Sequence, residues 1–120
     1  MALYVDPQLA RLLLSNLARN ACAYNRRSPV RLRVSGGREG ARVHVSVQDN
    51  GLGIPQEEWE RIFQDFYRLE RPEHEVHGSG LGLALCRKIA QVHGGSLRIA
   101  QSSPEGTTFL LSLPEPPASP

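Results

Sequence analysis

The sequence predicts an α/β (α+β) fold, a two-layer sandwich with helices on one face of a mixed, mostly antiparallel sheet. Three observations carry this. Three segments place apolar residues at helical spacing, and four alternate apolar and polar residues with period two. Alternating strands expose one polar face, so the helices must cover the other. At 120 residues the chain supports a single core.

Residues 8–24 carry Leu9, Leu12, Leu13, Leu17 and Ala21 as a helical stripe, after Asp6-Pro7, which suits an N-cap followed by a first-turn proline. Residues 30–35 alternate Val30, Leu32 and Val34 with polar neighbours. Residues 41–49 alternate Ala41, Val43, Val45 and Val47 in the same way, with Gly36-Gly37 and Gly40 between them, so a hairpin is predicted. After Pro55, Glu57 and Glu58 suit a helix start, with Trp59, Ile62, Phe63 and Phe66 on one face. The stretch from Tyr67 to Gly80 has no period and reads as a long functional loop. Residues 81–93 set Leu81, Leu85, Ile89 and Val92 on one side and stop at Gly94-Gly95. Two strands close the chain, with Leu97 and Ile99 inward on the first and Thr107, Phe109, Leu111 and Leu113 inward on the second.

Composition narrows the function. With 40% hydrophobic and 22% charged residues the chain is neither disordered nor coiled coil, and it holds no apolar run long enough to span a membrane. No basic and apolar leader follows Met1. The net charge is +2 with basic residues scattered, which argues against a nucleic-acid partner and against direct membrane contact. Cys22 and Cys86 lie in different helices and form no Cys-x-x-Cys pair, so neither zinc nor a disulfide is indicated, and a cytoplasmic location is expected. The domain is expected to span residues 1–114, followed by a Pro-rich disordered tail over 115–120.

Chemistry enters where the second strand ends. The inward phase of Val43, Val45 and Val47 continues to Asp49, which aims a carboxylate at the core side, where it needs donors. Thr107, inward on the last strand, can supply one. Gly51 and Gly53 follow in Asn50-Gly51-Leu52-Gly53-Ile54-Pro55 and let a flat ligand approach the backbone. The amine of adenine would satisfy the acid, and the carbonyl of guanine would not. The same residues also fit a plain strand-to-helix turn. On the first helix Asn16, Asn20 and Tyr24 fall at i, i+4 and i+8, a row of two amides and a phenol beside the leucine stripe. An amide oxygen suits Mg²⁺ that is otherwise held by phosphates. A polar helix edge explains the row equally well. Gly78-Ser79-Gly80-Leu81-Gly82 opens a helix whose free N–H groups would attract phosphate, or it is a hinge. It lacks the Gly-Lys-Ser/Thr of a P-loop. His74 and His77 lack metal-site spacing, and His93 reads as a favourable cation or cap at a helix C-terminus.

Taken in order, these segments resemble a family. Asn16-x-x-x-Asn20 with Tyr24, Asp49 through Pro55, Ile62 through Arg68, Gly78 through Leu83, and Gly106-Thr107-Thr108-Phe109 resemble the N box, first glycine box, F box, second glycine box and closing strand of the catalytic ATP-binding domain of bacterial sensor histidine kinases. The resemblance covers nearly the whole chain and implies the ATP-binding fold shared by gyrase, chaperone, histidine-kinase and mismatch-repair proteins. It implies that Asn20 is the principal Mg²⁺ ligand, that Asn16 supports it and touches phosphate, and that Tyr24 packs beside the nucleotide. Asp49 would bind adenine directly and Thr107 through water. Gly51, Gly53 and Ile54 would shape the base pocket, with Tyr67 also at the nucleotide. Gly78, Gly80, Leu81 and Gly82 would face the phosphates, and Arg68 would approach the γ-phosphate. Phe63 and Phe66 would anchor a lid.

The resemblance also implies an activity. Gyrase-like and chaperone relatives place a water-activating Glu four residues before the metal Asn, whereas this chain has Asn16. Transfer of the γ-phosphoryl group to a histidine, on a dimerisation domain of the parent kinase that then serves a response regulator, fits better than hydrolysis. Two departures stand out. Ala23 occupies a position where the family commonly has Lys or Arg, and no His-acid-Pro acceptor motif is present, so the chain reads as a catalytic fragment of a parent that could be a membrane sensor. A non-catalytic module of the same fold, or a self-contained ATPase, remains the alternative.

Overall fold

The computed structural model describes residues 6–23, 29–64 and 82–114. Helix α1 (Pro7–Ala23) starts at its expected cap: Asp6 Oδ1 accepts the backbone N–H of Gln8 at 2.9 Å and of Leu9 at 3.2 Å. Leu13, Asn16, Leu17 and Ala21 are buried, with Leu9 partly so. Leu12 departs from the expected stripe, because it lies on the flank that no described element covers and is 40% exposed.

Strands β1 (Leu32–Glu39) and β2 (Arg42–Asp49) pair antiparallel with Glu39 opposite Arg42, leaving only Gly40-Ala41 as the turn. Gly36 and Gly37, expected in that turn, lie inside β1. Gly40 alone takes the positive φ, 61°, that a two-residue turn requires. The register sets Val34 opposite Val47, on the inward side as expected, yet Val34 and every other residue of β1 are exposed. Among the described residues β1 is an edge, and the helices do not reach over it.

The helix expected after Pro55 is instead two single 3₁₀ turns, Gln56–Glu58 and Arg61–Phe63, and only the second buries its apolar residues, Ile62 and Phe63. Trp59 between them is partly buried, and its indole N–H donates to the Ile54 carbonyl at 2.9 Å. Helix α2 (Gly82–Val92) buries Cys86, Ile89 and Ala90, while Leu85 and Val92 of the predicted face are exposed. The stripe is therefore rotated toward the small residues, which lets α2 approach α1: the Cys86 thiol lies 3.5 Å from the Leu13 carbonyl. Burial pushes that thiol up to about 12, so it is an inert core group at neutral pH.

Strands β3 (Ser96–Ser103) and β4 (Gly106–Pro114) complete a sheet of order β1-β2-β4-β3, and every described pairing is antiparallel. The inward rows are as expected: Val43, Val45 and Val47 on β2, Leu97 and Ile99 on β3, and Thr107, Phe109, Leu111 and Leu113 on β4 are all buried. Phe63 meets Phe109 edge to face at 6.3 Å, which docks the second 3₁₀ turn on the sheet. An apolar groove of about 260 Å³ opens between α1, β1 and the end of α2, lined by Leu13, Leu14, Val34 and Leu113 among others. It lies toward the end of the core away from Asp49.

Candidate nucleotide-binding site

The two ends of the sandwich differ in chemistry. At one, α2 finishes against the start of α1. His93 Nε2 accepts the backbone N–H of Asp6 at 3.1 Å, so Nδ1 carries the proton and donates to the Ile89 carbonyl at 2.8 Å. His93 thus ties the end of α2 to the start of α1 and caps the last turn of α2 at Ile89, the cap being one of the two roles expected of it. Gly95 lies against the Ser112 carbonyl, close to the end of β4. The helix and strand directions then gather the candidate residues at the opposite end: the C-terminal half of α1, the first residue of α2, the end of β2 and the start of β4.

Asp49 stands where its phase predicts. Its Oδ1 accepts the backbone N–H of Gly51 at 2.8 Å and of Thr107 at 3.1 Å. Its Oδ2 has no protein partner among the described residues. Burial raises the carboxyl above its ordinary value, and the two backbone hydrogen bonds pull the other way. The result is a half-buried carboxyl group with one oxygen held and, among the described residues, one open.

The loop after Asp49 is braced from both sides. Ile54 donates its N–H to Ser102 Oγ at 2.7 Å, while its carbonyl receives the Trp59 indole. Gly53 has φ 87°, and a Cβ there would collide with the Ser103 carbonyl oxygen. Gly51 serves differently than expected: it is buried, has no positive φ, and acts through its N–H. Asn50 pins the entry to β1, accepting the Arg31 N–H at 2.9 Å and donating to the Pro29 carbonyl at 3.1 Å. Thr107 is buried, and its Oγ1 lies 2.7 Å from Ser102 Oγ.

On α1, Asn16 is only 9% exposed, yet its side-chain amide has no hydrogen-bond partner among the described residues. A buried orphan amide is uncommon and points to a missing ligand, ion or water. Gly82, the first residue of α2, sits beside it: a Cβ there would lie 3.7 Å from Asn16 Oδ1. Asn20 is one turn further along the same row and partly exposed. Among the described residues no group of three or more His, Cys, Asp or Glu could hold a metal. The side-chain amide oxygens of Asn16 and Asn20 are neutral, hard donors of a kind that fits Mg²⁺. Tyr24, Tyr67, Arg68, Gly78, Gly80 and Leu81 lie outside the described residues, as do Phe66, His74 and His77.

Two contributors escape sequence reading as site residues. Gly106, with φ 144°, brings β4 so close to β2 that a Cβ would collide with the Asp49 carbonyl oxygen. The Gly-Thr pair carries that signal only when Asp49 is known to be its neighbour. Ser102 reaches the loop because the β3–β4 register shifts between Ile99 and Gln101, a break that period-two counting does not reveal.

Comparison with known proteins decides the family. Residues 5–117 match the model of the histidine kinase-, DNA gyrase B- and HSP90-like ATPases. The chain belongs to this family. Among curated relatives it is 38% identical over 110 residues to the sensor-like histidine kinase SenX3 of Mycobacterium tuberculosis, covering 91% of this chain and 27% of that protein. It is 39% identical over 114 residues to the adaptive-response sensory kinase SasA of Synechocystis, covering 92% and 29%. The chain thus spans under a third of the length of these kinases. Among solved structures it superposes on the mycobacterial sensor histidine kinase MprB with a TM-score of 0.80 at 28% identity, covering 94% of this chain and 76% of that one. It superposes on the nucleotide-free catalytic domain of the histidine kinase ThkA with a TM-score of 0.75 at 30% identity, covering 94% and 71%. The α/β fold of the ATP-binding domain of sensor histidine kinases is therefore the fold of this chain. No helix among its described residues is long and apolar enough to cross a membrane.

Proposed function

We propose that this domain binds ATP with Mg²⁺ and donates the γ-phosphoryl group to a histidine on a separate dimerisation domain of its parent kinase, upstream of a response regulator. The observation that carries the reading is the pairing, at one end of the core, of a carboxylate with one oxygen open and a buried amide without a partner, both among the described residues. The first suits the amine edge of adenine and the second suits the phosphate and metal end. Family membership supports the same assignment.

Asp49 accepts from adenine N6, with Gly51, Gly53 and Ile54 forming the wall of the slot. Guanine would set a carbonyl against the acid and is rejected. Asn20 holds Mg²⁺ through its amide oxygen, assisted by Asn16. When bound, the ion supplies charge neutralisation at the phosphate oxygens. The free N–H groups at the start of α2 receive phosphate at Gly82, and Tyr24, Tyr67, Gly78, Gly80, Leu81 and Arg68 complete the nucleotide contacts. Asn16 stands where a water-activating acid would be needed for hydrolysis, so the domain positions the phosphoryl group for a protein nucleophile and does not activate water.

Titration of the chain with ATP, with and without Mg²⁺, tests this. Asp49→Asn should lose adenine-nucleotide binding, and Asn20→Asp should mainly alter the metal dependence. Wild-type affinity in Asp49→Asn sinks the site. Adding the acceptor domain of the parent tests transfer: binding without phosphorylation selects a non-catalytic module, and steady phosphate release by the chain alone selects an ATPase.

A further inference from the structure

The register break in β3 has a functional reading. Up to Ile99, paired with Phe109, the inward row of β3 follows Leu97 and Ile99. Continued without interruption, the alternation would set Gln101 on that side, opposite Thr107. Instead Gln101 pairs with Thr108, Ser102 with Thr107 and Ser103 with Gly106. One extra residue in β3 re-aims the strand, and such bulges turn a chosen side chain toward a site. The residue re-aimed here is Ser102.

Its hydroxyl is engaged twice. Ser102 Oγ accepts the Ile54 N–H at 2.7 Å and lies 2.7 Å from Thr107 Oγ1. Thr107 also donates its backbone N–H to Asp49. Ser102 therefore joins the glycine loop to the strand that holds the acid. A hydroxyl has one proton and two lone pairs. With one lone pair given to Ile54, the proton of Ser102 can be donated to Thr107 Oγ1, which leaves the Thr107 proton free to point toward a ligand.

We propose that Ser102 is a specificity-determining positioning residue: it fixes the loop through Ile54 and orients the Thr107 hydroxyl as a donor beside the Asp49 acceptor. The inference rests on the adenine-binding reading above and deepens it. An acceptor next to a donor matches the adenine edge, where the N6 amine donates and N1 accepts. Guanine presents the reverse order, a carbonyl and an N1–H. Asp49 alone distinguishes the exocyclic groups, and Ser102 adds discrimination at the ring nitrogen.

The test measures dissociation constants of the full chain for ATP, GTP and inorganic tripolyphosphate, each with Mg²⁺, in wild type, Ser102→Ala, Ser102→Thr and Asp49→Asn. Ser102→Ala should weaken ATP about tenfold, the scale of a lost buried hydrogen bond. It should narrow the ATP-to-GTP ratio and leave tripolyphosphate unchanged, and Ser102→Thr, which keeps the hydroxyl, should restore both nucleotide values. Unchanged ATP affinity in Ser102→Ala overturns the proposal. So does an equal loss for ATP and tripolyphosphate with a lowered unfolding temperature, since that marks a structural role alone. If Asp49→Asn retains ATP affinity, the adenine reading itself fails. If Asp49→Asn loses ATP while Ser102→Ala keeps it, only the role of Ser102 fails.

Discussion

The backbone N–H of Thr107 reaches Oδ1 of Asp49 at 3.1 Å although the two residues are 58 positions apart. The β2–β4 ladder ends one pair earlier, at Gln48 opposite Thr108. The carboxylate thus takes over as hydrogen-bond acceptor where the ladder stops, and the same bond that finishes the sheet orients the acid. Because one oxygen is fixed by backbone donors, the direction of the other is set by the fold and not by a flexible side chain.

That relationship sets a pH dependence. The folded-state value of Asp49 is raised, mainly by burial. Between the ordinary carboxylate value and the raised one, the unfolded chain has already released its proton while the folded chain retains it. The native state therefore binds more protons, and this group lowers stability as pH rises through that window. Binding runs the other way, because only the ionised acid is a full acceptor for the adenine amine. ATP affinity should fall as pH drops, with a midpoint above the ordinary carboxylate value. Calorimetric titrations at several pH values check this, and a midpoint at or below the ordinary value argues against the acid as the base-reading group.

Gly106→Ala should be damaging out of proportion to its size. The position combines a positive φ with a backbone approach that leaves no room for a Cβ beside the Asp49 carbonyl. A cost of about 2–4 kcal/mol is expected, from strain plus displacement of β4 relative to β2. Gly37→Ala is the control, since a Cβ there meets nothing within 4 Å and the substitution should change stability by less than about 1 kcal/mol. Urea unfolding of the two variants gives the comparison, and similar costs for both contradict the geometry.

How much was legible in the sequence follows from which physical signals are local. Period-two rows place every buried residue of β2 and β4, because burial on one face of an interior strand is written directly in the alternation. Asp49 follows from the same row. The rule fails on β1, where Val34 has the right phase but no helix above it, since the alternation encodes a face and not its cover. It fails again after Pro55, where two 3₁₀ turns stand in place of the expected helix and Phe63 of the second docks on Phe109, a contact far away in sequence that no local period encodes. On α2 the small residues Cys86 and Ala90, and not Leu85 and Val92, face the core, as close helix packing demands. Ser102 was invisible because a bulge is a property of two strands together.

Arg87 holds three elements at one point, and its removal should show it. Its guanidinium lies 3.8 Å from the Phe63 ring centroid, donates to the Leu97 carbonyl through Nε at 3.2 Å and Nη2 at 3.0 Å, and meets Glu60 at 2.8 Å. Glu60 is largely exposed, and Arg87 holds its carboxyl below the ordinary range by hydrogen bonding and charge, so solvent screens most of that pair. Glu60→Ala should cost under about 1 kcal/mol and less at high salt. Arg87→Ala should cost about 2–3 kcal/mol, through the lost carbonyl contacts and ring stacking. Arg87→Lys should recover little, lacking the planar fork. Denaturant unfolding of the three variants separates these contributions, and equal losses for Glu60→Ala and Arg87→Ala would assign the energy to the ion pair.

Asn16 offers the sharpest opposition between stability and binding. Its amide is buried without a partner among the described residues, between the leucine row of α1 and the start of α2. Such a group carries a desolvation cost of about 1–3 kcal/mol that a ligand would offset. Leucine has a similar branched shape and no polar atoms, so Asn16→Leu should raise the stability of the nucleotide-free domain by roughly 1 kcal/mol, a shift of a few degrees in Tm for a domain of this size. The same change should abolish the additional stabilisation that ATP and Mg²⁺ give the wild type, because binding to the folded state alone is what raises Tm. Thermal unfolding with and without nucleotide reads both effects in one experiment. A variant that is less stable without ligand, or that keeps the full nucleotide-induced shift, would mean that Asn16 is a structural amide and not part of the phosphate end.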